Sequence, residues 1–150
     1  HYFMHIQLGE EMTNILEEKG IKKIKVGKLC AFPKTLEYLE LDQHIEKKYD
    51  LRDLKNLKEL RFNDTQEDII NILDYLILPN NLSKLSFTSE FMYNKAIDMD
   101  KIHELEKLEI SGISLLIKNI NCKKLYLKNG GNNVIQGINF DDLKNLPIIY

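Results

Sequence analysis

Leu57-Lys58-Glu59-Leu60-Arg61-Phe62 decides the fold, because its spacing (apolar, two others, apolar, one other, apolar) recurs along the whole chain. Towards the N-terminus it appears as Leu36-Leu39-Leu41, Ile21-Ile24-Val26 and Phe3-Ile6-Leu8. Towards the C-terminus it appears as Leu82-Leu85-Phe87, Leu105-Leu108-Ile110 and Cys122-Leu125-Leu127, with a last copy begun at Leu146-Ile149. The copies start at 3, 21, 36, 57, 82, 105, 122 and 146, about 20 residues apart. A strand alternates its faces with period two, so the second and third apolar residues point to the same side and the residue between them points away. The first comes from the turn leading into the strand and closes the same core. One such unit cannot bury its apolar side alone, so neighbouring units must stack. The expected product is a parallel sheet of about seven to eight short strands, one from each turn of a solenoid.

The segments returning from one strand to the next differ in length. Thr65 to Ile77 reads as a helix: Thr65 is placed to cap it, Asp68 follows three residues on, and Ile69, Ile72, Leu73 and Leu76 form a stripe that Pro79 ends. Glu10 to Lys19 reads likewise, with Met12, Ile15 and Leu16 inward and Gly20 as the stop. Lys28 to Thr35 has room only for a turn or a 3₁₀ piece. Gly130-Gly131 and Gly137 mark a loop, since no phosphate-binding glycine motif follows a strand.

Asp53-Leu54-Lys55-Asn56-Leu57-Lys58-Glu59-Leu60-Arg61-Phe62, half repeated in Asp142-Leu143-Lys144-Asn145-Leu146, resembles a leucine-rich repeat. The spacing of about 20 sits at the short end of that family's range of ~20–29. Leu78-Pro79-Asn80-Asn81-Leu82-Ser83-Lys84-Leu85-Ser86-Phe87, followed by Phe91 and Ile97, is similar to the FNIP subtype, and Phe32-Pro33-Lys34-Thr35-Leu36-Glu37-Tyr38-Leu39 echoes it. Met92 departs from that subtype's Asn, and no Pro follows Ile97. The asparagine that usually follows the family's strand is replaced by His44, Thr65, Glu90, Ile113 and Gly130, so irregular return turns are expected. The resemblance implies a single α/β leucine-rich-repeat domain over residues 1–150, a curved parallel sheet with helices, 3₁₀ turns and loops on its convex side. It implies protein recognition through the concave face. FNIP repeats are often joined to an F-box, which implies as an alternative a substrate receptor or adaptor of a ubiquitin ligase, its second domain outside these residues.

Composition narrows the classes further. Apolar residues make up 43% and charged residues 29%, the balance of a folded chain rather than a disordered one. The longest apolar runs, such as Tyr75 to Leu78 and, with one Ser inside, Ile113 to Ile117, fall far short of the ~20 residues of a membrane span. A net charge of −2 lacks the basic excess of a duplex nucleic-acid binder. Cys30 and Cys122 form neither a disulfide framework nor a metal cluster, and fit a reducing, cytoplasmic setting. Asn63-Asp64-Thr65 and Asn81-Leu82-Ser83 match the glycosylation sequon at about chance frequency. The chain opens on His1 at the edge of one repeat and closes on Tyr150 midway through another. A fragment of a longer array is therefore expected, or self-association through uncapped ends.

No residue set calls for catalysis, and neither a cofactor nor a metal is expected. His1 and His5 are four apart, but the repeat puts His5 on a strand, where that spacing does not gather ligands. His44 and His103 lie in separate return segments. Cys30, His44 and Asp42 match the types of a thiol nucleophile, its base and an orienting acid, with nothing else in support. Cys122 holds a core position.

The outward strand positions carry an ordered charge map instead. Lys22, Lys23 and Lys25 are followed by Glu37, Tyr38, Glu40 and Asp42, then by Lys58, Glu59 and Arg61. Lys84 follows, then Glu106, Lys107 and Glu109, then Lys123, Lys124, Tyr126 and Lys128. Tyr38, Glu40, Arg61, Lys84, Lys107, Glu109, Lys124, Tyr126 and Lys128 are the expected protein-binding residues. In the first half, neighbours such as Lys25 and Glu40, or Glu40 and Arg61, are placed to neutralise one another. In the second half Lys84, Lys107 and Lys124 form one column of like charge, an unfavourable arrangement that an acidic partner segment would relieve.

Overall fold

Strands two to eight residues long, each paired with the strand of the next turn, wind the chain into a parallel-strand solenoid. The computed structural model describes residues 2–4, 9–26, 31–42, 48–64, 72–89, 95–112, 115–128, 134–136 and 144–149. In chain order the elements are β1 (Tyr2–Met4), α1 (Glu10–Glu18), β2 (Lys23–Val26), β3 (Tyr38–Leu41) and β4 (Tyr49–Asp50). They continue with β5 (Glu59–Asp64), a 3₁₀ turn (Ile72–Asp74), β6 (Leu76–Ile77), β7 (Lys84–Ser89) and β8 (Lys95–Asp98). Then come β9 (Leu105–Gly112), β10 (Leu115–Lys118), β11 (Cys122–Lys128), β12 (Val134–Gln136) and β13 (Ile148–Ile149).

The main sheet has the order β1-β2-β3-β5-β7-β9-β11-β13, every neighbouring pair parallel. Its register aligns Ile24, Leu39, Leu60, Leu85, Leu108 and Leu125 in one column and Val26, Leu41, Phe62, Phe87, Ile110 and Leu127 in the next. Both columns are buried. Phe62 meets Phe87 edge-on with ring centroids 6.0 Å apart, the arrangement that sets a positive ring edge against a negative face. Leu36, Leu57, Leu82 and Leu105, from the turns leading into the strands, close the same core.

The residue before the lead-in position ties one turn to the previous one ahead of Leu36, Leu57, Leu82 and Cys122. Thr35 Oγ1 donates to the Ile21 carbonyl at 2.7 Å, Asn56 Nδ2 to Lys34 O at 3.4 Å, and Asn121 Nδ2 to Ile102 O at 3.0 Å. Asn81 Nδ2 bonds Lys55 O in the same way. These carbonyls lie outside the strand ladder, and the side-chain amides satisfy acceptors that would otherwise have only water. The asparagines therefore stand before the strand rather than after it.

Four expectations are corrected. The pattern placed Ile6 and Leu8 beside Ile24 and Val26, but Tyr2 and Met4 occupy those register positions; Ile6 and Leu8 lie outside the described residues. At the other edge Ile148, not Ile149, stands opposite Leu125, and Ile149 pairs with Tyr126. Pro147 has no N–H to give, and its carbonyl accepts from Leu125 N at 2.9 Å, which sets that register. Both departures fall on strands with a neighbour on one side only, where register is least constrained.

The third correction concerns α1. Gly20, at φ 66°, ends it as expected, but Met12 and Ile15 are each 40% exposed. Leu16 is buried as expected, joined by Thr13 in place of the other two, and Thr13 Oγ1 donates to Ala31 O at 3.0 Å. That hydrogen bond lets a polar residue face the stack and turns the two apolar residues outward.

The fourth concerns the returns. Most of the helix expected from Thr65 to Ile77 lies outside the described residues, but Leu76–Ile77 is the strand β6, paired with β4. Pro79 disfavours helical backbone in the residue before it and so helps keep Leu78 extended. Further along, β8, β10 and β12 form a three-stranded parallel sheet. The return path is thus partly a second, interrupted sheet rather than helices, 3₁₀ turns and loops alone.

Candidate functional site: the open face of the main sheet

Residues between the two core columns point to the open face. Register places Lys25, Glu40, Arg61, Ser86, Glu109 and Tyr126 in one row on consecutive strands. A parallel row holds Lys23, Tyr38, Glu59, Lys84, Lys107 and Lys124. Asn63, Thr88, Ser111 and Lys128 form part of a third.

Two carboxylates organise this face. Glu40 takes the Tyr38 hydroxyl at 2.8 Å, the Asn63 amide at 2.9 Å and the Lys25 ammonium at 3.1 Å. Burial pushes its pKa up, but these three donors and the Lys25 charge outweigh that and hold it below the ordinary glutamate value. Tyr38 moves the other way: burial first, then the bond to Glu40, pushes its phenol up to about 12. Glu109 is buried at 6% exposure. Its Oε2 accepts from Ser86 at 3.1 Å and faces Arg61 Nη2 at 3.5 Å, while its Oε1 contacts the Lys128 ammonium. Burial again opposes ionisation, and Lys128, Ser86 and the charge of Lys107 overcome it, so its pKa also lies low.

The sequence paired Glu40 with Arg61, but Arg61 reaches over Ser86 to Glu109. Ser86 has the shortest side chain in its row, which leaves room for the guanidinium to lean across. Asn63 and Ser86 were missed as members of these clusters, although their alternate strand positions put both on the open face.

Acid should undo both clusters. A carboxylate with a depressed folded-state pKa contributes stability that is complete above its unfolded value and lost as pH falls through the folded one. Urea unfolding should therefore give constant stability above about pH 5.5 and a decline from about 4.5 downward. Glu40→Gln combined with Glu109→Gln should flatten that decline; an unchanged slope in the double variant would show that other carboxylates carry it.

The column Lys84, Lys107, Lys124 stands apart. Register places the three directly across from one another, and among the described residues none makes an ion pair with a carboxylate. Glu59 lies across from Lys84 at the end of the column. The Lys107 ammonium rests 4.1 Å from the centre of the Tyr126 ring, a cation–π contact that partly relieves the crowding. Lys124 is exposed, Tyr126 half-buried. Lys128, expected to be available for binding, is engaged with Glu109, and the neighbouring Lys123 pairs with Glu106 at 2.9 Å.

A second concavity of about 630 Å³ lies where the return sheet is broken between β6 and β8. Leu73, Ile77 and Ile102 line it with Lys48, Arg52, Lys101 and His103. Two of its basic groups are committed elsewhere. Arg52 grips Asp50 with two nitrogens, drawing that exposed carboxyl down to about 2, and His103 Nε2 bonds the Leu82 carbonyl at 2.6 Å.

Of the Cys and His residues, Cys122 and His103 are described, and each has a structural setting. The Cys122 thiol is buried and pushed up to about 11, by burial first and then by Glu104, which keeps it protonated at neutral pH. Cys30, His1, His5 and His44 lie outside the described residues. Among the described residues no three His, Cys, Asp or Glu side chains gather to hold a metal ion, and no helix is long and apolar enough to cross a membrane. Comparison with protein-family models, with curated proteins and with solved structures gave no match for this chain.

Proposed function

We propose that this chain is a non-catalytic protein-interaction module of leucine-rich-repeat type, which receives an acidic protein segment on the open face of its main sheet. The observation that carries this reading is the column Lys84, Lys107, Lys124. Glu40 and Glu109 have cations of the chain itself directly against them, whereas the three lysines stand across from one another with no carboxylate within ion-pair distance among the described residues. An extended or helical acidic segment laid across the strands supplies the missing charge. Tyr126 beside the column supplies a rigid aromatic surface of the kind enriched at binding hot spots. The spacing of the strand motif supports the repeat-family assignment, and the reducing character of the cysteine usage supports a cytoplasmic setting.

The test is a titration of a fluorescein-labelled decapeptide of alternating Glu and Ala, followed by anisotropy. Binding should weaken as salt rises from about 50 to 300 mM, because the Debye length contracts. Lys84→Glu with Lys124→Glu should weaken it at least ten-fold, while Lys48→Glu with Lys101→Glu, at the second concavity, should leave it unchanged. The reverse ranking would move the site to the return side.

A further inference from the structure

We infer that the acidic segment received by the lysine column is helix α1 of a second copy of this chain. This rests on the reading of the open face as an acceptor of acidic segments, and it names the occupant.

The helix has the complementary chemistry. Glu10, Glu11 and Glu18 are exposed, and no basic residue stands in its last turn. Met12 and Ile15, which the amphipathic pattern assigns to a core, are among the few large apolar side chains exposed in the described residues. Glu11, Ile15 and Glu18 stand at i, i+4 and i+7, one face of the helix. Seven residues of helix rise about 10.5 Å, so the two carboxylates are separated by about that distance along the axis. Lys84 and Lys124 are two strand spacings apart, about 9.6 Å. A helix laid across the strands therefore sets Glu11 and Glu18 over the outer two lysines. Ile15 then lies over the middle of the column, where the aliphatic stem of Lys107 and the Tyr126 ring present apolar surface. The one arrangement covers the exposed Ile15 and matches two cations that have no ion-pair partner among the described residues.

The contact joins different surfaces. Helix α1 sits between β1 and β2 near one edge of the main sheet, and the column spans β7, β9 and β11 towards the other. Each copy added to a pair leaves one helix and one column free, so mass should grow past the dimer as concentration rises.

Sedimentation equilibrium of the full chain from about 5 to 500 μM, at about 50 and 300 mM salt, tests this. The expected result is reversible association beyond the dimer, at least ten-fold weaker at the higher salt. Lys84→Glu with Lys124→Glu, and separately Glu11→Lys with Glu18→Lys, should each sediment as monomers, and an equimolar mixture of the two should associate again past the dimer, the two variants alternating, because the acidic helix then meets the unaltered column and the basic helix the reversed one. Circular dichroism checks that α1 survives. Glu18→Lys alone serves as a second helix variant, since a cation near a helix C-terminus is favourable; it should weaken association several-fold. A wild-type chain that stays monomeric throughout overturns the proposal, as does association that the charge-reversed pair does not regain. If the chain is monomeric yet the Glu-Ala decapeptide binds, self-docking fails and the acceptor reading stands. If neither associates, both fail.

Discussion

Leu85→Ala is expected to cost about 2–5 kcal/mol. Leu85 is 1% exposed and stands between Leu60 and Leu108 in the inner column. Removing three heavy atoms there forfeits their transfer energy and leaves a cavity that two flanking strands hold open. Lys84→Ala, one residue earlier, should change stability by less than about 0.5 kcal/mol, because its side chain faces the open side and its backbone bonds are untouched. Urea titrations should show this as a large fall in midpoint for the first variant and almost none for the second, with equal slopes. Equal losses would overturn the register on which every assignment of the open face depends.

The second large effect is kinetic. Replacing Lys124 by Glu reverses one charge of the column, which should slow association with an acidic partner and flatten the salt dependence of the on-rate. Tyr126→Ala should instead speed dissociation about ten-fold or more, the loss expected for a hot spot of about 1.4–2 kcal/mol. It also removes the ring on which Lys107 rests, so that ammonium returns to water and must be desolvated again on binding. Lys128→Ala is the control. Its ammonium is already engaged by Glu109, so its loss should lower stability rather than affinity. Surface plasmon resonance with the Glu-Ala decapeptide immobilised separates the two rates. Wild-type kinetics in the combined Lys124→Glu, Tyr126→Ala chain would show that the column is solvated surface and that recognition lies elsewhere.

The core columns were legible because period-two patterning requires only that successive residues point to opposite sides. Once Leu60 and Phe62 are assigned inward, Arg61 must face out, and each copy of the motif repeats the constraint. The column Lys84, Lys107, Lys124 follows from the same rule, since aligned motifs carry their intervening residues into alignment. Met12 and Ile15 were misread because an apolar residue at helical spacing says that a stripe exists, not which residues of it meet the stack. The return strands were missed because Leu115 to Lys118 is too short a run for periodicity to separate strand from helix.

The sequence by itself determined the inward columns, the parallel stacking of the turns and the lysine column, for each is a consequence of local spacing repeated down the chain. The Lys25–Glu40 pair was also legible, but only the tertiary structure decided which of the other charges meet. Whether Arg61 pairs with Glu40 on the adjacent strand or with Glu109 two strands away depends on the reach of a long side chain over a small one, Ser86, and on how much water each carboxylate loses. The same competition commits Lys128 to Glu109 and leaves Lys84 and Lys124 facing solvent. Ion pairing is settled by distance and desolvation in three dimensions, neither of which a one-dimensional pattern contains.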